Sequence, residues 1–276
     1  MLNIKKPTGY LIYEGPSALD PSVPIAVIVN RTEGKSTNAK TGAMAQSFII
    51  IRTDMKPNVA LKSKQDHAVC GCCPYAGGNG CYVSMKMVCS VYAAYTRGSY
   101  KTVTPEELAL LLAAQVTRGR LAGFRCGSYG DPAAAPVEVW QPAVAAVRGA
   151  GGRTSGYTHQ WTEKYAYMGR TADPRFRQLV MASAHGLPDA QRAWEQGWRA
   201  FTVFDDAASI RSAGMAMCPA SKEANYRKTC GTCGAQSACN GRRNPEDLRV
   251  NIGIVVHGNP ITVRQAKKAI AQLGEA

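Results

Sequence analysis

The chain reads as an α/β protein built on a complete or partial parallel βα barrel, with two cysteine-rich metal-binding loops. Three observations predict this. From about residue 120 onward, short β-branched runs alternate with helical patterns, the arrangement of a parallel sheet with covered faces. Polar and ligand-type residues follow almost every predicted strand, as they do where barrel loops converge on a site. Nine of the ten cysteines fall into two tight groups, and Cys126 stands apart. No glycine-rich dinucleotide fingerprint opens the pattern, which favours a barrel over an open doubly wound sheet.

The elements follow in order. Residues 24–30 and 47–53 are apolar, β-branched runs and read as strands, separated by a polar loop over 31–46. Residues 66–81 form a Gly/Pro-rich loop holding the first cysteines, and a helix is expected from Tyr82 to about Arg97. Another helix opens at Thr104-Pro105-Glu106-Glu107, with a capping hydroxyl, proline in the first turn and acids near the helix N-terminus. Strands are then predicted at 123–128, 153–158, 178–183, 198–204, 214–218 and 250–256. Helices are predicted at 137–148, 189–196 and 262–273, with one turn at 208–212. This divides the chain into N-terminal strands and a polar loop over 1–65, packed on a barrel core over 66–276. The cysteine-rich loops of that core lie at 66–89 and 218–241.

Composition bounds the rest. Hydrophobic content of 45% is ordinary for a globular chain. No run approaches the ~20 apolar residues of a membrane span. The first residues carry no apolar secretory core, so a cytoplasmic chain with reduced cysteines is expected. The formal net charge of +14 favours a polyanionic partner such as nucleic acid. The densest basic patch, Lys222, Arg227, Lys228, Arg242, Arg243 and Arg249, brackets the second cysteine group. The oligomeric state is left open.

Chemistry is concentrated in the cysteines. Cys70, Cys73 and Cys81 form one candidate ligand set, with Cys72, Cys89 or His67 as a fourth member; Cys218, Cys230, Cys233 and Cys239 form another. Tight turns aim paired sulfurs at one point and a distant segment closes the site. Four thiolates suit zinc and an iron–sulfur cluster equally, and three suit a cluster with one open iron. At the predicted strand ends stand Asp131, His159, His185, Asp205, Asp206 and His257. Asp131, His159 and His185 are candidate catalytic residues lining a substrate pocket. A non-radical alternative has Asp131 with Asp205 or Asp206 as nucleophile and acid/base of a base-modifying, transglycosylase-like barrel. A third reading is a zinc-stabilised nucleic-acid-binding protein without catalysis.

Ser36-Thr37-Asn38-Ala39-Lys40-Thr41-Gly42, Cys70-x-x-Cys73-Pro74, Cys81-Tyr82-Val83, Gly127–Pro132, Gly156–Trp161 and Cys218-Pro219-Ala220-Ser221 together resemble the phage gene product 88 family. That resemblance implies a phage or prophage origin, and hence a host cytoplasm, but no mechanism. More distantly, the chain resembles radical S-adenosylmethionine enzymes. There a three-cysteine loop ending in an aromatic residue follows a barrel strand, and Cys70, Cys73 and Cys81-Tyr82 keep that order. The spacing here is two then seven residues, where that family has three then two. The resemblance implies a 4Fe-4S cluster and S-adenosylmethionine as cofactors. It assigns Tyr82, Gly127, Ser128, Tyr129 and Gly130 to cofactor contact, and likens Cys218, Cys230, Cys233 and Cys239 to an auxiliary iron–sulfur site.

Overall fold

A computed structural model describes residues 8–33, 38–76, 81–234, 239–242 and 244–274. Ser36 and Thr37 of the 36–42 motif and Arg243 of the basic patch lie outside these. The first three strands, β1 (Gly9–Pro16), β2 (Pro24–Asn30) and β3 (Met44–Ile51), pair antiparallel in succession. Two short helices, α1 (Pro57–Lys62) and α2 (His67–Cys70), lead into the first cysteine segment, which is followed by α3 (Met85–Thr96). The short strand β4 (Lys101–Thr102) pairs with β1 at the sheet edge.

The helix α4 (Pro105–Thr117) begins where its sequence directs. The Thr104 hydroxyl accepts the Glu107 amide at 3.1 Å, and the Glu107 carboxylate accepts the Thr104 amide at 2.9 Å, a reciprocal capping box. Beyond it come β5 (Gly123–Tyr129), α5 (Gln141–Gly149), β6 (Arg153–Thr158), β7 (Met181–His185), α6 (Gly186–Glu195) and β8 (Ala200–Phe204). Then α7 (Ala207–Ser212), β9 (Ala216–Met217), β10 (Ile252–Val255) and α8 (Pro260–Gly274) complete the chain.

Among the described residues the strands join one ten-stranded, mostly parallel sheet of order β4-β1-β2-β3-β5-β6-β7-β8-β10-β9, which is not closed. The first strands and the later units therefore share one hydrogen-bonded ladder, through the parallel pairing of β3 with β5. From β3 through β5, β6 and β7 to β8 the parallel strands lie side by side in chain order, and β10 then inserts between β8 and the edge strand β9. Parallel crossovers are right-handed, so a constant direction of travel places the crossover segments on one face.

Several boundaries differ from those expected. The apolar run from Gln178 looks like a strand start, but residues 174–178 form a 3-10 turn capped by Asp173. Leu179 and Val180 then pack into the core, and the strand itself is 181–185. The helix expected from Val137 is divided: a 3-10 turn covers 137–139 and α5 starts at Gln141. The strand β1 carries no expectation of its own from sequence.

Two apolar clusters sit on the sheet. The larger holds Phe48, Leu108, Leu112, Phe124 and Trp140, all essentially unexposed. Trp140 also donates its indole N–H to the Pro132 carbonyl at 2.9 Å, satisfying its one polar atom. The smaller holds Tyr75, Met181, Val203, Cys218, Ile252 and Ile254, with Cys73, Tyr157 and Cys239 packed against it. Residues of both cysteine groups thus meet one apolar cluster.

Candidate functional site

The strand ends supply the frame. Asp131 follows β5, His159 follows β6, His185 ends β7 and His257 follows β10. Gly127 near the end of β5 and Gly130 just after it, in left-handed backbone at φ 70° and 80°, turn the chain toward Asp131. A Cβ on Gly127 would meet the Gly130 carbonyl at 2.7 Å, and one on Gly130 would meet Ile49 at 2.7 Å, so neither position accommodates a side chain. Ser47 fastens this turn by accepting the Gly127 amide at 2.8 Å, and Ser128 donates to Gln46 Oε1 at 2.5 Å.

Asp131 is buried and heavily engaged. Its Oδ1 accepts the Ala133 amide at 3.0 Å and its Oδ2 accepts the His159 amide at 2.8 Å. Its own amide donates to the Val69 carbonyl at 2.6 Å, tying the rim to α2 and the first cysteine loop. Burial raises its carboxyl above the usual range against hydrogen bonds from Thr158, Ala133, His159 and Gln160. Gln160 donates onward to the Cys70 carbonyl at 3.4 Å. Its amide also fills the space beside Gly71, at φ 56°, where a Cβ would collide with it.

The two rim histidines stack, with ring centroids 5.7 Å apart and planes at 19°. His185 is unexposed; its Nε2 lies 3.0 Å from the Tyr75 hydroxyl and its Nδ1 3.4 Å from the Tyr165 hydroxyl. Its amide donates to Asp189 Oδ2 at 3.0 Å. Burial pushes Asp189 upward, but His185 and Arg192 outweigh it and hold the carboxyl below the usual range. His159 Nε2 is buried with no hydrogen-bond partner. Burial first, and then the neighbouring His185, lower its pKa to about 3. Tyr75 packs edge-on against Tyr82 at 5.1 Å, and Tyr82 lies 5.5 Å from His257. Tyr82 is 44% exposed, so the aromatic path runs from the histidine pair to solvent.

Around this frame stand the first cysteines. Burial raises Cys70, and Asp66, Cys73, Cys81 and Asp131 raise it further by their negative charge. Cys73 and Cys81 are raised likewise, by burial first, with Asp66 among the other causes in both. The three thiols and Asp66 therefore lie within electrostatic reach of one another, and Tyr129 feels Cys70, Asp66 and Cys81 in turn. The three expected fourth members are diverted. His67 lies 3.1 Å from Asp20 Oδ2 and stacks on Tyr167 at 4.1 Å. Cys89 donates to Asn58 Oδ1 at 3.3 Å, and exposed Cys72 faces the Ala166 carbonyl at 3.7 Å.

The second set is drawn from four backbone positions. The Cys218 amide donates to the Gly253 carbonyl at 2.8 Å, and the Cys230 amide to the Lys40 carbonyl at 2.9 Å. The Cys233 carbonyl accepts from Arg153 Nε at 2.8 Å, and the Cys239 carbonyl accepts the Gly156 amide at 3.1 Å. Burial raises Cys239, with Cys218, Cys230 and Cys233 contributing. Two cations face this set: Arg125 and Lys40 both oppose the upward shift of Cys230. Arg125 lies beside Gln46 on β3 and Ser155 on β6, 5.8 Å over the Tyr157 ring, and its Nε is buried without a partner. Lys40 Nζ is 3.3 Å from His257 Nε2, whose Nδ1 is 2.9 Å from the Val255 carbonyl; that bond makes Nε2 the acceptor.

None of the ten cysteines is in a disulfide. Among the described residues no three His, Cys, Asp or Glu side chains stand together at metal-holding geometry. Sequence reasoning missed Asp66, Tyr75, Lys40 and Arg125. Asp66 could have been found four residues before Cys70, and Tyr75 two after Cys73. Asp205 is exposed, and Asp206 caps α7 through the Ser209 amide at 2.8 Å. The basic patch loses Arg249, whose guanidinium is turned inward onto Asp247, Asn240 and the Gly241 carbonyl. A surface cavity of about 360 Å³ lined by Arg52, Tyr92 and Tyr95 touches none of the predicted site residues. Among the described residues no helix is long and apolar enough to cross a membrane. No family model and no curated protein matches this chain.

Proposed function

We propose that this chain is an iron–sulfur enzyme of radical type, on a partial βα barrel, acting on nucleic acid or a nucleotide-derived substrate. The observation that carries the reading is the first cysteine group: three half-buried thiols within electrostatic reach of one another and of the buried Asp66 carboxylate, with His67 and Cys89 hydrogen-bonded elsewhere and Cys72 exposed. Thiolates in such a place are favoured only when a cation joins them, and thiolate is a donor type that suits zinc and iron; a bound metal would have to draw together side chains that do not stand at holding geometry on their own. Cys70, Cys73 and Cys81 would hold an iron–sulfur cluster, and Cys218, Cys230, Cys233 and Cys239 a second, closed centre. A cluster with three thiolates supplies an iron able to take a cofactor or substrate. The side-by-side order of the parallel strands supports the partial barrel.

The chain's own residues have definite parts in this reading. Asp131 positions: its two oxygens hold the His159 amide and the Ala133 turn, which sets the rim around the cluster loop. His159, neutral through the physiological range, offers a nitrogen to a ligand, while Asp189 fixes the segment of His185 beside it. The place the family resemblance gives to S-adenosylmethionine is the turn 127–130, whose two glycines themselves pack closely against protein atoms. The test is reductive cleavage of S-adenosylmethionine by anaerobically reconstituted protein. Cleavage that is lost on Cys73→Ser and retained on Cys89→Ser supports the reading. A loaded cluster with no cleavage removes the radical chemistry.

A second reading, a zinc-stabilised nucleic-acid-binding protein, is favoured by a specific surface. Tyr226 is 68% exposed and, like Asn225, sits in left-handed backbone, at φ 48°. Such a conformation is strained for a non-glycine residue and persists where the surroundings impose it. Exposed Lys222, Arg227 and Lys228 lie within four residues of it in the chain, so a stacking face and cations, the combination that binds single strands, occur in one segment. The base-modifying reading finds less support, because Asp131 is engaged in the rim and Asp206 caps a helix.

A further inference from the structure

We propose that Arg125 and Ser155 form an oxyanion site on the sheet, one that takes the terminal phosphate of a small ligand. The site stands on side chains of the sheet and needs no metal; only the identification of the ligand as nucleotide-derived rests on the function proposed above. Arg125 on β5 and Ser155 on β6 are partners in the parallel ladder, so their side chains leave the sheet on one face. Ser155 is 4% exposed, and its hydroxyl is buried with no hydrogen-bond partner in the chain. The Nε of Arg125, on the neighbouring strand, is buried and unpartnered as well. Buried polar groups are normally paired, because a donor that loses water and gains no acceptor destabilises the fold. For a guanidinium, which keeps its charge at any pH the chain meets, the penalty is larger still.

The nearby side chains do not answer this cation. Gln46, the partner of Arg125 on β3, accepts the Ser128 hydroxyl with Oε1 at 2.5 Å and donates Nε2 to Thr41 Oγ1 at 3.2 Å. Tyr157, two residues beyond Ser155, presents its ring, with the guanidinium carbon 5.8 Å from the centroid. Among the described residues no carboxylate forms an ion pair with Arg125. What is left is a planar cation backed by an aromatic face, with a hydroxyl on the adjoining strand. Guanidinium N–H groups grip oxyanions through paired, charge-assisted bonds, and a hydroxyl adds a further donor. A phosphomonoester suits this set because it brings three acceptor oxygens and nearly two charges. Arg125 is half-buried and Ser155 buried, so the anion has to reach inward, as a terminal phosphate does and the interior of a polymer backbone does not. Exposed Lys40 precedes Thr41, the residue fastened to Gln46, and adds a second cation that steers an anion toward the row.

The test is a titration of the full chain with inorganic phosphate, adenosine monophosphate and adenosine, followed by calorimetry and ³¹P NMR at constant ionic strength and equal metal content. The wild type should bind the monophosphate at one saturable site, more tightly than phosphate, and adenosine at least about tenfold more weakly. Arg125→Met should weaken the monophosphate about tenfold or more, Ser155→Ala several-fold, and Arg125→Lys should fall between wild type and Arg125→Met. Lys62→Met, which removes the same charge from exposed α1, should bind as the wild type does. If Arg125→Met does not fold, Ser155→Ala and Arg125→Lys carry the decision. Equal affinity in the wild type and the Arg125 and Ser155 variants, or an equal loss in Lys62→Met, overturns the site and leaves the cysteine reading untouched. Arg125-dependent binding in which the monophosphate gains nothing over phosphate supports the oxyanion site and overturns its link to a nucleotide.

Discussion

Acidification should destabilise this protein through His159, and the size of the effect follows from its surroundings. The imidazole is lowered to about 3 in the folded chain, by burial and by the stacked His185, while in the unfolded chain it titrates near 6.5. Between those values the unfolded chain binds the proton and the folded chain does not, so stability falls as pH falls through that window. Each pH unit is worth 1.36 kcal/mol, giving a loss of about 2 kcal/mol near pH 5 and about 3 kcal/mol near pH 4. For a chain of this size that is roughly 4–8 °C in Tm between about pH 7 and pH 5. Other groups contribute to the raw profile. Raised Asp131 opposes the trend, because its stability is lost as pH rises from 3.8 through its folded value, and lowered Asp189 adds to it. The comparison is therefore with His159→Phe, which keeps a ring against His185 and cannot titrate. Urea unfolding of both proteins, at equal metal content, should show a shallower slope for the variant between about pH 4 and 6.5, by close to one proton. Parallel profiles would refute the reasoning and mean that the His159 site is wet or already protonated.

Three more outcomes are expected. Asp131→Asn replaces an acceptor with a donor facing the Ala133 or His159 amide, and should lower stability by about 2–4 kcal/mol in denaturant unfolding; an unchanged midpoint would free the carboxylate for chemistry. Arg125→Met removes a fixed cation beside the second cysteine set, and should weaken metal retention about tenfold in chelator competition, with Arg125→Lys restoring most of it; equal retention would remove Arg125 from that centre. Tyr226→Ala should weaken single-stranded nucleic acid by about 1–3 kcal/mol, and wild-type binding should fall steeply with salt in titrations; salt-independent or absent binding would take nucleic acid out of the account.

What the sequence discloses is the part governed by local rules. The capped start of α4, the β-branched runs of β2 and β3, and the later strand–helix alternation follow from residue type and neighbours, and so do the polar strand ends. Boundaries failed where two rules compete, as at 178–183, where an apolar run belongs first to a capped 3-10 turn and only then to a strand. The site was legible as residue types and not as partnerships. His67, Cys72 and Cys89 look like equivalent fourth ligands until Asp20, the Ala166 carbonyl and Asn58 engage them from distant segments. Lys40 and Arg125 acquire meaning only through the sheet register and through what is buried beside them, and no spacing rule encodes either, whereas Asp66 is marked by its place four residues before Cys70.

The central claim is that the two cysteine groups are metal centres, and the most direct measurement is iron, zinc and acid-labile sulfide per chain, with a visible spectrum, on protein prepared without oxygen. The account predicts a brown protein absorbing near ~400 nm, with about four or more irons per chain and matching sulfide. Stoichiometric zinc without iron would contradict the iron–sulfur reading and turn the cysteines into scaffold for the basic surface around Tyr226. A chain carrying no metal at all would contradict the claim itself.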